Sequence, residues 1–135
     1  MGVIADFIVA TEQEALEYSR SQSGIPSADL VESKGISAVE LSTLLAILNG
    51  DEWREEMLDL FTFVPESEYL TLVSDKLLNR LTDFDYDLNL VSADWAATEE
   101  MGWDADEARM LIDELTQLAV TAKRRGKPIY LWNCV

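Results

Sequence analysis

The chain has 135 residues, and its 26 acidic and 10 basic side chains give a formal charge of −16 at neutral pH. Hydrophobic residues make up 48% of the sequence, which is ordinary for a globular protein and too high for a disordered one. The length favours one domain over residues 1–135. Charges interrupt every apolar stretch before the roughly 20 residues of a membrane helix are reached, and phosphates would repel this net charge. We therefore expect neither a membrane nor a nucleic acid as partner.

The cellular compartment is predicted from two features. The N-terminal residues lack the basic-then-apolar layout of a secretory signal. The sequence contains one cysteine, Cys134, which excludes an internal disulfide framework and fits a reducing compartment. We therefore expect a cytoplasmic protein.

The first part of the chain predicts a strand, a helix and a second strand. Residues 3–9 are short, β-branched and broken by one charge, which is typical of a strand near the centre of a sheet. Thr11 and Glu14 have capping-box spacing, so a helix should run from there to about Arg20. Residues 29–33 predict a short edge strand.

Two helices are predicted next. Ser37 and Glu40 form a second capping-box pattern, and Asn49-Gly50 ends the helix that follows because both residues tolerate the left-handed conformation. Asp51 then caps a further predicted helix, which ends before Pro65. The apolar side of this further helix consists of Trp53, Met57, Leu60 and Phe61.

The second half predicts a strand, three helices and a final strand. Residues 68–73 alternate and are rich in β-formers, and Ser74 caps a short helix. Residues 85–101 have a less regular helical pattern. Asp104 caps a long helix with one apolar stripe, which Gly126 terminates. Residues 129–132 are apolar on both faces, which indicates an interior strand.

This order of elements predicts an α+β fold. A small sheet should form around the N- and C-terminal strands, which are the most apolar, and about five to six helices should cover it, mainly on one side.

The layout resembles a known family. Met1-Gly2 leads directly into an apolar strand, a Leu-rich helix ends at Asn49-Gly50, and a long helix ends in residues 122–126 before the closing strand. In these features the chain is similar to small bacterial proteins of the YfbM-like family. The resemblance implies a bacterial, intracellular protein and carries over no activity and no catalytic residue.

Most familiar catalytic machinery is absent from the sequence. There is no histidine, which removes the Ser-His and Cys-His dyads and the commonest zinc ligand. The six glycines form no phosphate-binding loop. With 26 acidic residues, paired carboxylates would occur in any fold and indicate little. We therefore expect a protein that is not an enzyme and that needs no cofactor.

An acidic stripe is the first candidate binding site. If residues 51–61 are helical, four carboxylates recur at i, i+3, i+4 and i+7 on the side opposite the apolar residues. The stripe is either a solvated helix face or a surface for a basic partner. The four residues are Glu52, Glu55, Glu56 and Asp59.

A second candidate has the ligand spacing of a calcium loop. Oxygen-bearing side chains occupy every second position, and Asp94 stands at the twelfth. Leu88, however, occupies the sixth position, where the loop needs glycine, and the twelfth residue is not glutamate. We therefore expect an ordinary loop with helix-capping residues and no metal site. The candidate ligands are Asp83, Asp85, Asp87, Asn89 and Asp94.

These features favour a non-enzymatic module that binds a basic protein, of the inhibitor or immunity type, because such charge accelerates association with a cationic partner. The alternatives are a module that binds a small molecule or metal and, third, a carboxylate-based hydrolase. A deep apolar pocket with convergent polar groups would favour the small-molecule alternative.

Overall fold

The structure, a computed structural model, describes residues 3–98 and 102–134. In this part of the chain one sheet has the strands β1 (Ile4–Val9), β2 (Leu30–Lys34), β3 (Thr62–Val64), β4 (Ser67–Leu72) and β5 (Ile129–Cys134). The α-helices are α1 (Glu12–Ser21), α2 (Ala38–Asn49), α3 (Asp75–Asp83), α4 (Leu88–Ala96) and α5 (Ala105–Arg125). Two 3₁₀ turns cover Ser27–Asp29 and Glu55–Leu60. The α+β prediction is confirmed.

The terminal strands form the middle of the sheet, as the sequence predicts. The strand order is β2-β1-β5-β4-β3, and every neighbouring pair is antiparallel. β1 and β5 pair along their whole length, from Ile4 opposite Cys134 to Val9 opposite Ile129. Both are interior strands, so their apolar residues can be buried on both faces.

Alternating side chains divide the core between the two faces of the sheet. Phe7 and Leu131 point to the face on which α2, α3, α4 and α5 pack. Ile8, Tyr130 and Trp132 point to the other face, where α1 contributes Ala15 and Tyr18. The helices therefore lie mainly on one side, as predicted, and α1 alone forms the cover on the second face among the described helices.

The helix ends follow the capping patterns in the sequence. Capping boxes form at Thr11–Glu14, Ser37–Glu40 and Asp104–Glu107, where side chains satisfy backbone groups that have no partner within the helix. Gly50 and Gly126 end α2 and α5 with φ values of 69° and 67°, which glycine adopts without strain.

The predicted helix after Asp51 is wrong. Residues 51–54 are not helical, and Glu55–Leu60 is a 3₁₀ turn. Trp53, assigned to the buried side, is 42% exposed, and its Nε1 donates a hydrogen bond of 2.8 Å to Oγ of Ser42 in α2. Met57 and Phe61 are buried as predicted, but this short connection is shaped by contacts with α2 rather than by helix periodicity.

Two further boundaries differ from the sequence predictions. β3 occupies a segment that was expected to end a helix. Pro65 lies in the turn between β3 and β4, where the strand pairing needs no N–H from it. The helix predicted over 85–101 is α4, which ends at Ala96. Its predicted last residues, 99–101, lie outside the described residues.

Candidate functional site

A groove lies at the β2 edge of the sheet and is lined by residues of β1, β2 and the first half of α5. Its volume is about 530 Å³. The strands contribute residues near the ends of β1 and β2, and α5 contributes residues one and two turns apart. The lining residues are Ile4, Asp6, Glu32, Ser33, Lys34, Trp103, Glu107, Met110, Leu111 and Glu114.

The groove is strongly acidic. Four carboxylates line it (Asp6, Glu32, Glu107 and Glu114), and Lys34 is its one cationic side chain. Glu107 is held in place because its Oε1 accepts a hydrogen bond of 3.3 Å from the backbone N–H of Asp104. A concave surface lined by one sign of charge concentrates the field and attracts counter-charged ligands.

Apolar side chains lie among these charges. Ile4 is 45% exposed and Met110 is 65% exposed, and both line the groove. Trp103, which packs partly against the main core, lines it as well. Exposed apolar side chains ringed by charge are typical of a surface that binds another molecule.

Asp6 is the buried member of the groove. It is 6% exposed, and its Oδ2 accepts a hydrogen bond of 2.6 Å from the hydroxyl of Tyr18. Burial and this hydrogen bond to Asp6 raise the pKa of Tyr18 above its ordinary value, so the hydroxyl remains a donor. This hydrogen bond joins α1 to β1.

The register of the sheet places Asp6 in a row of polar and aromatic side chains. Glu32 is its partner across β1 and β2, and Trp132 is its partner across β1 and β5. The rings of Tyr18 and Trp132 meet edge to face, with centroids 5.8 Å apart and planes at 88°. Asp6 and Glu32, which line the groove, therefore lie on the same face of the sheet as the rings of Tyr18 and Trp132.

The polar groups in this row are incompletely satisfied. Within the described part of the chain, Asp6 forms no ion pair, whereas the equally buried Asp29 pairs with Nε of Arg125 at 2.9 Å. Trp132 is 7% exposed, and its Nε1 has no hydrogen-bond acceptor there either. A buried carboxylate without a cation and a buried N–H without an acceptor both cost free energy.

The acidic stripe predicted from the sequence is not one helical stripe. Glu52 lies in the non-helical segment, and Glu55, Glu56 and Asp59 lie in the 3₁₀ turn, where residues three apart align. All four carboxylates are exposed, and none forms an ion pair within residues 3–98 and 102–134. The stripe is not among the residues that line the groove.

The calcium-like stretch serves the connection between α3 and α4. Asp83 is the last residue of α3, and Asp85 accepts two hydrogen bonds from Nη1 of Arg80, both 2.9 Å. Asp87 caps α4, while Asn89 and Asp94 lie within that helix. The stretch is therefore a loop with helix-capping residues; across the described chain, no three Asp, Glu or Cys side chains are arranged to hold a metal ion.

Sequence reasoning did not identify the groove. Asp6 was the one charge in an otherwise apolar strand, and a charge in an interior strand is the signal that could have marked it. Its neighbours Tyr18, Glu32 and Trp132 follow only from the register and from the position of α1.

Comparison with known proteins gives no match to a family model, to a curated protein or to a solved structure. The resemblance to the YfbM-like family therefore stays a prediction. None of the helices in the described chain has the length and apolar composition that crossing a membrane requires.

Proposed function

We propose that this protein is a non-enzymatic binding module whose groove holds a basic protein partner. The observation that carries the proposal is the groove itself, whose lining combines four carboxylates with the exposed side chains of Ile4 and Met110. The apolar residues provide area to bury, and the carboxylates select a cationic partner.

The overall charge supports the same partner. At −16 the whole molecule attracts cationic proteins, and this attraction raises the association rate more than it raises affinity. A protein of the inhibitor or immunity type, which must block a cationic target quickly in the cytoplasm, benefits from such a rate. The proposal keeps the basic partner expected from the sequence but moves its main contact from the acidic stripe to the groove.

A small cationic molecule is the second candidate ligand, because a volume of about 530 Å³ lies within the range of small-molecule sites. The exposure of Met110 favours a polypeptide, since a small ligand would leave this side chain in water.

Two charge-reversal variants test the proposal. Glu107→Lys/Glu114→Lys changes the groove, and Glu55→Lys/Glu56→Lys changes the acidic stripe by the same formal charge. Basic proteins would be captured from native lysate on the wild type and on each variant. The association rate of a retained protein would then be measured between low and high salt.

We expect the groove variant to lose the partner and the stripe variant to retain it with only a slower association. Association with the wild type should slow steeply as salt rises. Equal loss in both variants would mean that the partner responds to net charge alone, and an undiminished partner on the groove variant would contradict the proposal.

A further inference from the structure

We propose that Asp6 and Glu32 form a subsite in the groove that receives one arginine side chain of the partner. The inference rests on the proposed function and names the chemistry of its central contact.

The first argument is the missing cation at Asp6. Burial of a carboxylate is tolerated when a cation pairs with it, as Arg125 does with Asp29. Asp6 is as buried as Asp29, lines the groove, and has only the hydroxyl of Tyr18 as a donor within the described residues. No cation within these residues pairs with its carboxylate.

The second argument is the position of Glu32. Side chains directly opposite each other on neighbouring antiparallel strands lie about 5 Å apart, and like charges there repel. Asp6 and Glu32 are such a pair, and Lys34, the cation of the groove, forms no ion pair with either of them. A cation between the two carboxylates would replace repulsion by attraction on both sides.

The third argument identifies the cation as a guanidinium. Its planar group carries five donors and is more weakly hydrated than an ammonium, so it suits two carboxylates at a partly buried site. The neighbouring Ile4 can pack against the aliphatic part of an arginine side chain. A metal ion is a poorer fit because this end of the groove offers two carboxylates beside apolar side chains.

The test compares two labelled peptides, octaarginine and octalysine, which have the same charge. Fluorescence anisotropy would measure their affinities for the wild type, for Asp6→Asn and for Glu32→Gln. In Asp6→Asn the amide oxygen can still accept the hydrogen bond of Tyr18, so the fold keeps that contact. Asp29→Asn is the control, because it neutralises an equally buried carboxylate that does not line the groove.

We expect the wild type to bind octaarginine about tenfold more tightly than octalysine, and Asp6→Asn to remove this preference. The melting temperature of free Asp6→Asn should equal or exceed that of the wild type, because a buried charge without a cation has been removed. If Asp6→Asn does not fold, the exposed Glu32→Gln variant must show the reduced preference.

Equal affinities for the two peptides, or a preference unchanged in both variants, would overturn the arginine subsite. The proposed function fails separately, if Glu107→Lys/Glu114→Lys binds both peptides as tightly as the wild type. Binding that is weakened by this groove variant but shows no arginine preference would retain the groove and reject the subsite.

Discussion

Nζ of Lys127 lies 2.9 Å from Oε1 of Glu14 and thereby joins the connection between α5 and β5 to the first turn of α1. The same carboxylate oxygen accepts a hydrogen bond of 2.9 Å from the backbone N–H of Thr11. The backbone donor and the Lys127 ammonium together lower the pKa of Glu14 from 4.5 to about 2. One side chain thus caps α1 and fixes its position against the C-terminal part of the chain.

The first prediction concerns acid stability. Because the pKa of Glu14 is lower in the folded state than in the unfolded chain, its contribution is fully present above pH 4.5 and is lost as the pH falls toward 2. Both side chains of the pair are partly exposed to water, which screens the interaction, so we expect a contribution of about 1 kcal/mol or less. Melting temperatures of the wild type and Glu14→Gln should converge over this range.

A control on the same helix separates this effect from net charge. Glu17→Gln removes an exposed carboxylate whose side chain has no cation within the described residues, so comparing Glu14→Gln with Glu17→Gln at each pH removes the common effect of net charge. A gap for Glu14→Gln that stays constant from pH 6 to pH 2 would contradict the assigned pKa.

The second prediction concerns the core beneath α4. Trp95 is fully buried, and its Nε1 donates a hydrogen bond of 3.0 Å to the backbone oxygen of Glu40, which joins α4 to α2. We expect Trp95→Ala to lower the free energy of unfolding by about 3–5 kcal/mol, because it leaves a large cavity. Leu90→Ala, at an exposed position of α4, should cost less than about 0.5 kcal/mol. Urea denaturation measures both, and comparable losses would contradict the packing.

The third prediction concerns the buried carboxylate that does have a cation. Arg125→Met should leave Asp29 buried and unpaired, at a cost of about 1–3 kcal/mol, moderated because the Arg125 side chain is partly exposed. Arg124→Met is the matched control, since Arg124 is exposed and forms no ion pair within the described chain. Adding Asp29→Asn to Arg125→Met should recover part of the loss. No recovery in thermal or urea unfolding would show that the loss arises from packing.

Local patterns in the sequence predicted most of the fold because they act over a few residues. The capping pairs Thr11–Glu14 and Asp104–Glu107 each fix a helix start without distant contacts. The apolar composition of the first and last strands likewise predicted their central place, because only interior strands bury both faces.

The prediction for the connection between α2 and the β3–β4 hairpin was wrong because this segment depends on distant contacts. Met57, Leu60 and Phe61 have spacings that suit an α-helix, but Leu60 also follows Met57 at the period of a 3₁₀ turn. The hydrogen bond from Trp53 to Ser42 holds this connection against α2, and it joins residues 11 apart, which a local pattern does not reveal. The sequence did not reveal the groove either, because Asp6 and Glu32 become neighbours only when β1 and β2 pair in this register.

The fourth prediction concerns calcium and the connection between α3 and α4. Asp85 already accepts two hydrogen bonds from Arg80, and Asp87 accepts one of 3.1 Å from the backbone N–H of Leu90 as the cap of α4. A calcium ion bound at these carboxylates would have to break the ion pair and the cap together. Leu88 adds a further cost, because it begins α4 where a calcium loop needs the sharp turn of glycine.

We therefore expect calorimetric titration with calcium chloride to show no stoichiometric binding at micromolar concentrations, and only weak effects at millimolar concentrations. Arg80→Met provides the sharper test, because it releases Asp85 from its present partner while Leu88 and the cap at Asp87 stay in place. If the backbone geometry is what prevents binding, this variant should also show no micromolar site. A one-to-one complex that appears in Arg80→Met would place the obstacle in the ion pair instead, and one in the wild type that disappears in Asp85→Asn would contradict the prediction altogether.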